Sequence, residues 1–309
     1  MNGKRDSRPA WDAFWAGGTP AKGGTRGGCL PAGWQGIEQV EAGVWSRFAQ
    51  KLPRGARVLD LGTGDGKVMA HLLRVRRDLR PTGIDQASEL PPPPRGAKVR
   101  TGVLMSDLPF PDASFAAVTS QFAFEYGDLV PAAAELVRVL KPGGQVAMIV
   151  HRSDGPIVAH NRARRRQIAW AIEEWDLPGA ARRSLQLKAS MGIAKLPPEI
   201  ANGPEEGARL FGPASAAWEI AEALRQALVL GTHEPLSKTA GVIERIAAQA
   251  AAEIGRIASL EMAAMAAGTG ERIAEVLEAA GLTLLASQAL HDGRAQAPFA
   301  TFLNLARPA

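Results

Sequence analysis

The chain has 309 residues, 46% of them hydrophobic and 22% charged, with a formal net charge of +5. That length suits one large domain or a domain with an insertion, and so mild a charge permits acidic partners without demanding them. A single cysteine, Cys29, leaves no internal disulfide framework and fits a reducing cytoplasm. No apolar stretch follows the basic residues Lys4, Arg5 and Arg8, and no run approaches the roughly 18–20 apolar residues that span a bilayer, so a cytoplasmic protein is expected.

Residues 1–36 are rich in glycine and proline from Gly17 to Gly33 and read as a flexible arm. Within it, Trp11, Phe14 and Trp15 form an aromatic cluster that either docks on the core or closes over a ligand as a flap. Ile37, Val40, Val44, Trp45, Phe48 and Leu52 recur at three- and four-residue steps, which predicts an amphipathic helix. The first strand is predicted over 57–61. It runs into Gly62-Thr63-Gly64-Asp65-Gly66, where glycines at alternate positions permit a tight turn and a close backbone approach to a ligand. A helix beginning at Lys67 would aim its N-terminal amides at the same crevice.

A second strand ends at Gly83-Ile84-Asp85, the tetraproline 91–94 makes an extended connector, and a third strand is expected over about 98–104. Ser114 to Ser120 reads as a fourth strand. The helix marked by Leu129, Ala133, Leu136 and Leu140 should stop at Lys141-Pro142-Gly143-Gly144, ahead of a fifth strand over 146–150. From 152 to 268 the alternation gives way to three or four predicted helices rich in alanine, arginine and glutamate. A helix over 273–280 then precedes strands over 282–290 and 300–305, whose short loop requires antiparallel pairing. The expected fold is α/β: a Rossmann-like, seven-stranded, mostly parallel sheet with an antiparallel last strand and a helical insertion between strands five and six.

Val58 to Gly66, the acid Asp85, Leu108-Pro109-Phe110-Pro111-Asp112-Ala113-Ser114-Phe115 and Arg138-Val139-Leu140-Lys141-Pro142-Gly143-Gly144 together resemble the class I S-adenosylmethionine-dependent methyltransferases, closest to the type 11 branch. The resemblance covers roughly 37–151 and 270–306, with the cofactor-binding core taken as 37–151 plus 269–309. It implies S-adenosyl-L-methionine as cofactor. Gly62, Thr63, Gly64 and Gly66 would shape the turn under its methionine part. Asp60 would orient that turn and hold the ammonium group directly or through water, and Asp85 would accept from both ribose hydroxyls.

The family's usual acid near the adenine amino group falls on Leu104, followed by Met105, Ser106 and Asp107. Either backbone groups bind the adenine, or Ser106 or Asp107 substitutes. Gln86 stands where an apolar residue commonly packs on the adenine ring.

The fourth strand ends at Ser120-Gln121-Phe122-Ala123-Phe124-Glu125-Tyr126, on the edge where ligands bind. Gln121 is assigned to the cofactor site. Phe124 and Tyr126 are candidate acceptor contacts, Phe124 having a core role as its alternative, and Glu125 is a candidate catalytic group. His151, at the end of strand five, is the candidate general base, with an anchoring role as the alternative. His160 and Asn161 in the insertion are further candidate acceptor contacts.

No Cys/His grouping has metal-ligand spacing, so no metal is expected. The run Arg162-Ala163-Arg164-Arg165-Arg166 reads as a solvated face paired with acids such as Glu173 and Glu174, and Gln121-Phe122-Ala123-Phe124 lacks the signature of base-flipping enzymes, so no nucleic-acid partner is expected. The alanine-rich helices 215–231 and 238–267 suit a lid, a homodimer surface, or both. The expected function is methyl transfer to a small-molecule acceptor under a helical lid. The competing readings are a non-catalytic cofactor-binding protein and a nicotinamide-dependent oxidoreductase.

Overall fold

The computed structural model describes residues 35–193, 195–293 and 297–309. The aromatic cluster at Trp11, Phe14 and Trp15 therefore lies outside the described residues.

Seven strands form one sheet: β1 (Arg57–Leu61), β2 (Arg80–Ile84), β3 (Lys98–Arg100), β4 (Phe115–Gln121), β5 (Leu140–His151), β6 (Thr283–Leu290) and β7 (Ala300–Ala306). Their order is β3-β2-β1-β4-β5-β7-β6. The pairs from β3 through β5 are parallel, and β7 runs antiparallel to both β5 and β6. From β1 the chain builds outward to β2 and β3, then returns to place β4 on the other side. This reversal opens a crevice at the C-terminal ends of β1 and β4.

Alternation along the strands supplies the two faces. Val58, Ala117, Ala147 and Ile149 pack with Trp45 and Phe48 of α1 (Gln35–Lys51) and Val68 and Leu72 of α2 (Lys67–Val75). Leu59, Leu61, Val118 and Met148 face Leu136 of α3 (Leu129–Val139).

Two boundaries differ from expectation for local reasons. The third strand stops at Arg100, because Gly102 turns at φ +68° and its N–H goes back to the Ala87 carbonyl. Lys141 to Gly144 lies inside β5, where the register against β4 slips between Phe115 and Ala117 and Gly143 adopts φ +71°.

Two of the motif segments hold each other in place. The Arg138 guanidinium donates to the carbonyls of Leu108 and Phe110 and to Asp112, and Glu135 accepts from the Leu108 N–H at 2.8 Å.

The chain divides into two compact units: residues up to Ala159 with Ser259–Ala309, and His160–Ala258. Five helices run through the inserted stretch: α4 (Pro156–Ala169), α5 (Leu177–Met191), α6 (Pro198–Phe211), α7 (Ala216–Leu230) and α8 (Leu236–Ala267). The first turn of α4 and the last two turns of α8 belong to the sheet unit, where Ile157, Val158, Leu260 and Ala264 join the core. The expected insertion limits, 152 and 268, therefore fall within the sheet unit. The helical unit has its own core around Trp170, Leu177, Ile200, Leu224 and Ile243. The last helix, α9 (Glu271–Ala279), leads back to β6.

Candidate functional site

The glycine turn is built from three left-handed residues, Gly62, Gly64 and Gly66, at φ +63°, +51° and +76°. A side chain at Gly62 would overlap the Cβ of Ala123 and come within 3.0 Å of the Met105 methyl. At Gly66 it would come within 2.7 Å of Pro94 Cδ, so the tetraproline buttresses the turn. The bare backbone that suits a ligand's approach is also what lets the loop after β4 pack here.

Asp60 is fully buried at the end of β1. Its Oδ2 accepts from the Thr63 hydroxyl at 2.7 Å and its Oδ1 from the Thr119 hydroxyl at 2.8 Å. Burial pushes its carboxyl up to about 7 despite these donors. Asp60 thus ties the turn to β4, and both oxygens are already engaged, which fits an orienting role. Asp85 ties the turn to the end of β2. Its Oδ2 accepts the Gly64 N–H and its Oδ1 the Ala87 N–H, each at 3.0 Å. An ionised carboxylate is acceptor-only and offers about four acceptor positions, a chemistry that suits the two hydroxyls of a ribose. Gln86, Met105 and Ser106 are half-buried near this end of β2 and the segment after β3, while Leu104 is exposed.

The end of β4 carries the second half of the site. Gln121 Oε1 accepts the Trp45 indole N–H at 2.6 Å, which fixes the amide from α1. Phe122 sits at φ +52°, a sparsely populated conformation for an aromatic residue, and its ring stacks on His151 with centroids 4.4 Å apart. Tyr126 Oη lies 3.3 Å from His151 Nε2. Glu125 is buried. Its Oε1 accepts the His151 backbone N–H at 2.8 Å, and its Oε2 finds no hydrogen-bond partner among the described residues. Burial raises this carboxyl to about 7.

Phe122, Glu125, Tyr126 and His151 therefore meet at the ends of β4 and β5. Phe124 does not join them. It has no exposed surface and fills the core with Leu61, Phe115 and Leu136, so its ring supports the floor of the site instead of meeting an acceptor.

His160 and Asn161 belong to the helical unit. His160 is exposed there, and Asn161 Oδ1 accepts from Arg256 at 3.2 Å. Arg164 of the arginine run pairs with Glu253 at 2.7 Å and Glu219 at 3.3 Å, so its acidic partners come from α8 and α7 and not from the expected Glu173 and Glu174.

Sequence reasoning missed Glu41 and Lys67. Glu41 is completely buried, and its Oε2 lies 3.2 Å from the Lys67 ammonium at the start of α2. The signal was present: Glu41 interrupts the apolar stripe Ile37, Val44, Trp45 and Phe48, and an acid in such a stripe must meet a cation or another polar group.

Burial at Asp60 and Glu125 sets a pH dependence. Their carboxyls titrate near 7 when folded but near 3.8 and 4.5 ordinarily. Between those limits the folded state holds more protons than the unfolded chain, so these two groups lower stability as pH rises from about 4 to 7. Asp60→Asn is expected to flatten the fall in urea midpoint between pH 5 and pH 8. An unchanged slope would show that Asp60 does not titrate in this window.

Residues 59–148 match the family model described as a methyltransferase domain. An uncharacterised methyltransferase of Mycobacterium tuberculosis is 36% identical over 107 residues, covering 33% of this chain and 43% of that protein. The demethylmenaquinone methyltransferase of Thermus thermophilus is 36% identical over 120 residues, covering 34% of this chain and 53% of its own length. The chain thus spans about half the length of the curated relatives it matches.

Among solved structures, the Burkholderia thailandensis 1,6-didemethyltoxoflavin-N1-methyltransferase, with 1,6-didemethyltoxoflavin and S-adenosylhomocysteine bound, aligns at TM-score 0.43 and 14% identity over 88% of this chain and 78% of that one. An S-adenosylmethionine-dependent methyltransferase of Mesorhizobium loti aligns at TM-score 0.43 and 12% identity over 89% of this chain and 100% of that one. No helix among the described residues is long and apolar enough to cross a membrane. With the glycine turn, the strand-two acid and the strand order in place, residues 59–148 of the sheet core are similar to a methyltransferase domain of the class I, S-adenosylmethionine-dependent kind.

Proposed function

We propose that the protein methylates a small-molecule acceptor whose reacting atom must shed a proton. The observation that carries this reading is the cluster formed by Phe122, Glu125 and Tyr126, on the loop that packs against the glycine turn through Ala123, with His151 at the end of β5. It combines aromatic walls with a phenol, an imidazole and a buried acid, the furniture of a pocket for a largely apolar molecule with one polar handle.

The chemistry supplied by bound S-adenosylmethionine is a methyl group already activated on a sulfonium, open to in-line displacement. What is left to the chain is positioning, exclusion of water and proton removal. Gly62, Gly64 and Gly66 admit the amino-acid part against bare backbone. Asp85, an acceptor-only carboxylate at the end of β2, receives the ribose hydroxyls. Met105 lies over Gly62, and Gln86 and Ser106 occupy the adenine end.

His151, stacked on Phe122, takes the acceptor proton, and Tyr126 orients the imidazole through its contact with Nε2. Glu125 holds β5 at His151 through the backbone N–H. The helical unit begins at His160, nine residues after His151 in the chain, and on this reading it selects the acceptor as a lid.

Calorimetric titration of S-adenosylmethionine, with Asp85→Ala as the variant, tests the cofactor half. Loss of a charged acceptor facing two hydroxyls is expected to weaken binding by about 1–3 kcal/mol. No binding to the parent protein, or equal binding to the variant, would remove the assignment. S-Adenosylhomocysteine release measured across phenols, quinols and nitrogen heterocycles tests the acceptor half. Turnover confined to a macromolecular substrate would overturn it.

A further inference from the structure

We propose that the Glu41 carboxylate, set between Lys67 and Gln121 beside the glycine turn, receives the α-ammonium of the cofactor's amino-acid arm. This deepens the methyltransferase reading and rests on it.

Three observations lead there. First, Asp60, the acid just before the turn, has each oxygen taken by a hydroxyl, from Thr63 and from Thr119, and Asp65 within the turn accepts the Lys67 N–H at 3.1 Å. Second, Glu41 has no exposed surface, and neither of its oxygens is closed by a well-formed hydrogen bond among the described residues. Burial raises its carboxyl, and Lys67 and the Gln121 amide only partly offset that. A buried carboxylate left short of donors is costly, and a cation with N–H donors is the group that relieves it.

Third, its neighbours fix its place. Lys67 is the first residue of α2, directly after Gly66, and Gln121 ends β4. Both lie at the C-terminal rim of the sheet, on the α1 side, where Asp60 and Thr119 also point.

Charge counting favours the same partner. Among the described residues, Lys67 is shared between Glu38 at 3.1 Å and Glu41 at 3.2 Å with Asp65 beside it, so the acids outnumber the cation and leave an excess of negative charge. A primary ammonium reduces it. At the start of α2 the Lys67 N–H is already taken by Asp65 Oδ1 at 3.1 Å, which brings a further acid to this corner. Trp45, buried in the core and bonded to Gln121, holds this corner rigid.

The test is a binding cycle between the protein and its ligand. S-Adenosylhomocysteine and its deaminated analogue are titrated against the parent chain and Glu41→Gln. The parent is expected to prefer the amine about 10- to 100-fold, as for a charge-assisted hydrogen bond, and Glu41→Gln is expected to lose that preference while binding the deaminated analogue as before. A preference kept in full by Glu41→Gln overturns the proposal.

If that variant does not fold, Lys67→Gln serves in its place. Removing the competing cation should widen the preference for the amine severalfold, and a preference unchanged or reduced overturns the assignment. A parent chain that binds neither ligand fails the methyltransferase reading itself, which is a different result.

Discussion

Gly62→Ala is expected to abolish cofactor binding and to destabilise the sheet unit by about 2–5 kcal/mol, the combined cost of a left-handed alanine and of an overpacked contact. The residue adopts φ +63°, and its new methyl would overlap the Cβ of Ala123. Ala123 cannot retreat freely. The loop that carries it is pinned by the Phe122 N–H on the Ile149 carbonyl at 2.8 Å and by the Phe124 N–H on the Ser120 hydroxyl at 3.1 Å.

A matched control separates the two costs. Gly55 also has a left-handed backbone, φ +67°, but no atom of the described residues lies within 4 Å of its added methyl. Gly55→Ala should therefore show only the backbone cost, about 1–2 kcal/mol. Equal losses for the two variants in chemical denaturation would mean that the turn yields without strain and that the close packing at Ala123 does not matter.

His151→Ala is expected to lower the rate of methyl transfer by about 10²–10⁴-fold, the usual contribution of a positioned general base, with cofactor affinity nearly unchanged. The imidazole is held from three directions: stacked on Phe122, within 3.3 Å of Tyr126 Oη, and backed by the Glu125 carboxylate on its own backbone N–H. Such restraint fits a group that must meet the acceptor in one orientation.

The readout is the single-turnover rate across pH 5.5 to 9. A base role predicts that the rise of rate with pH disappears in the variant. An anchoring role predicts a lower melting temperature with the parent's pH profile intact, and that result would remove His151 from the chemistry. Glu125→Gln provides the companion measurement, because it keeps an acceptor for the His151 N–H while removing a carboxyl that titrates near 7.

Much of the sheet core was legible from the chain alone, because periodicity and glycine placement are local. The strand ending at Asp60-Leu61, the alternate glycines, the strand-two acid Asp85 and the apolar stripe of α1 all follow from residue order and backbone sterics. So did the antiparallel finish, since the loop between β6 and β7 is too short for a crossover. Arg138 also had a readable position but a hidden purpose. Its guanidinium fastens the Leu108 and Phe110 carbonyls, so two segments that look like separate signatures are one structural clamp.

The residues misjudged were those whose role depends on what lies across space. Phe124 and Phe122 are near neighbours on one short loop, and their order does not say which ring enters the core. A left-handed turn at Phe122 and the start of a 3₁₀ turn at Phe124 sent the first to His151 and the second inward. Arg164 found its acids on helices distant in sequence, which no local spacing could specify.

Glu41 is the sharpest case. The chain shows an acid on an apolar helical face, which fixes that it must be compensated. Only the packing of α1 against the start of α2 and the end of β4 sets Lys67 and Gln121 beside it at the sheet's rim. The order of residues thus determined the strands and the turn, because these rest on backbone geometry within a few residues, and it carried the motifs whose resemblance to a family implied the cofactor. Which buried charges face one another was decided by the tertiary structure, because the energy of a charge in a low-dielectric interior depends on neighbours brought from elsewhere in the chain.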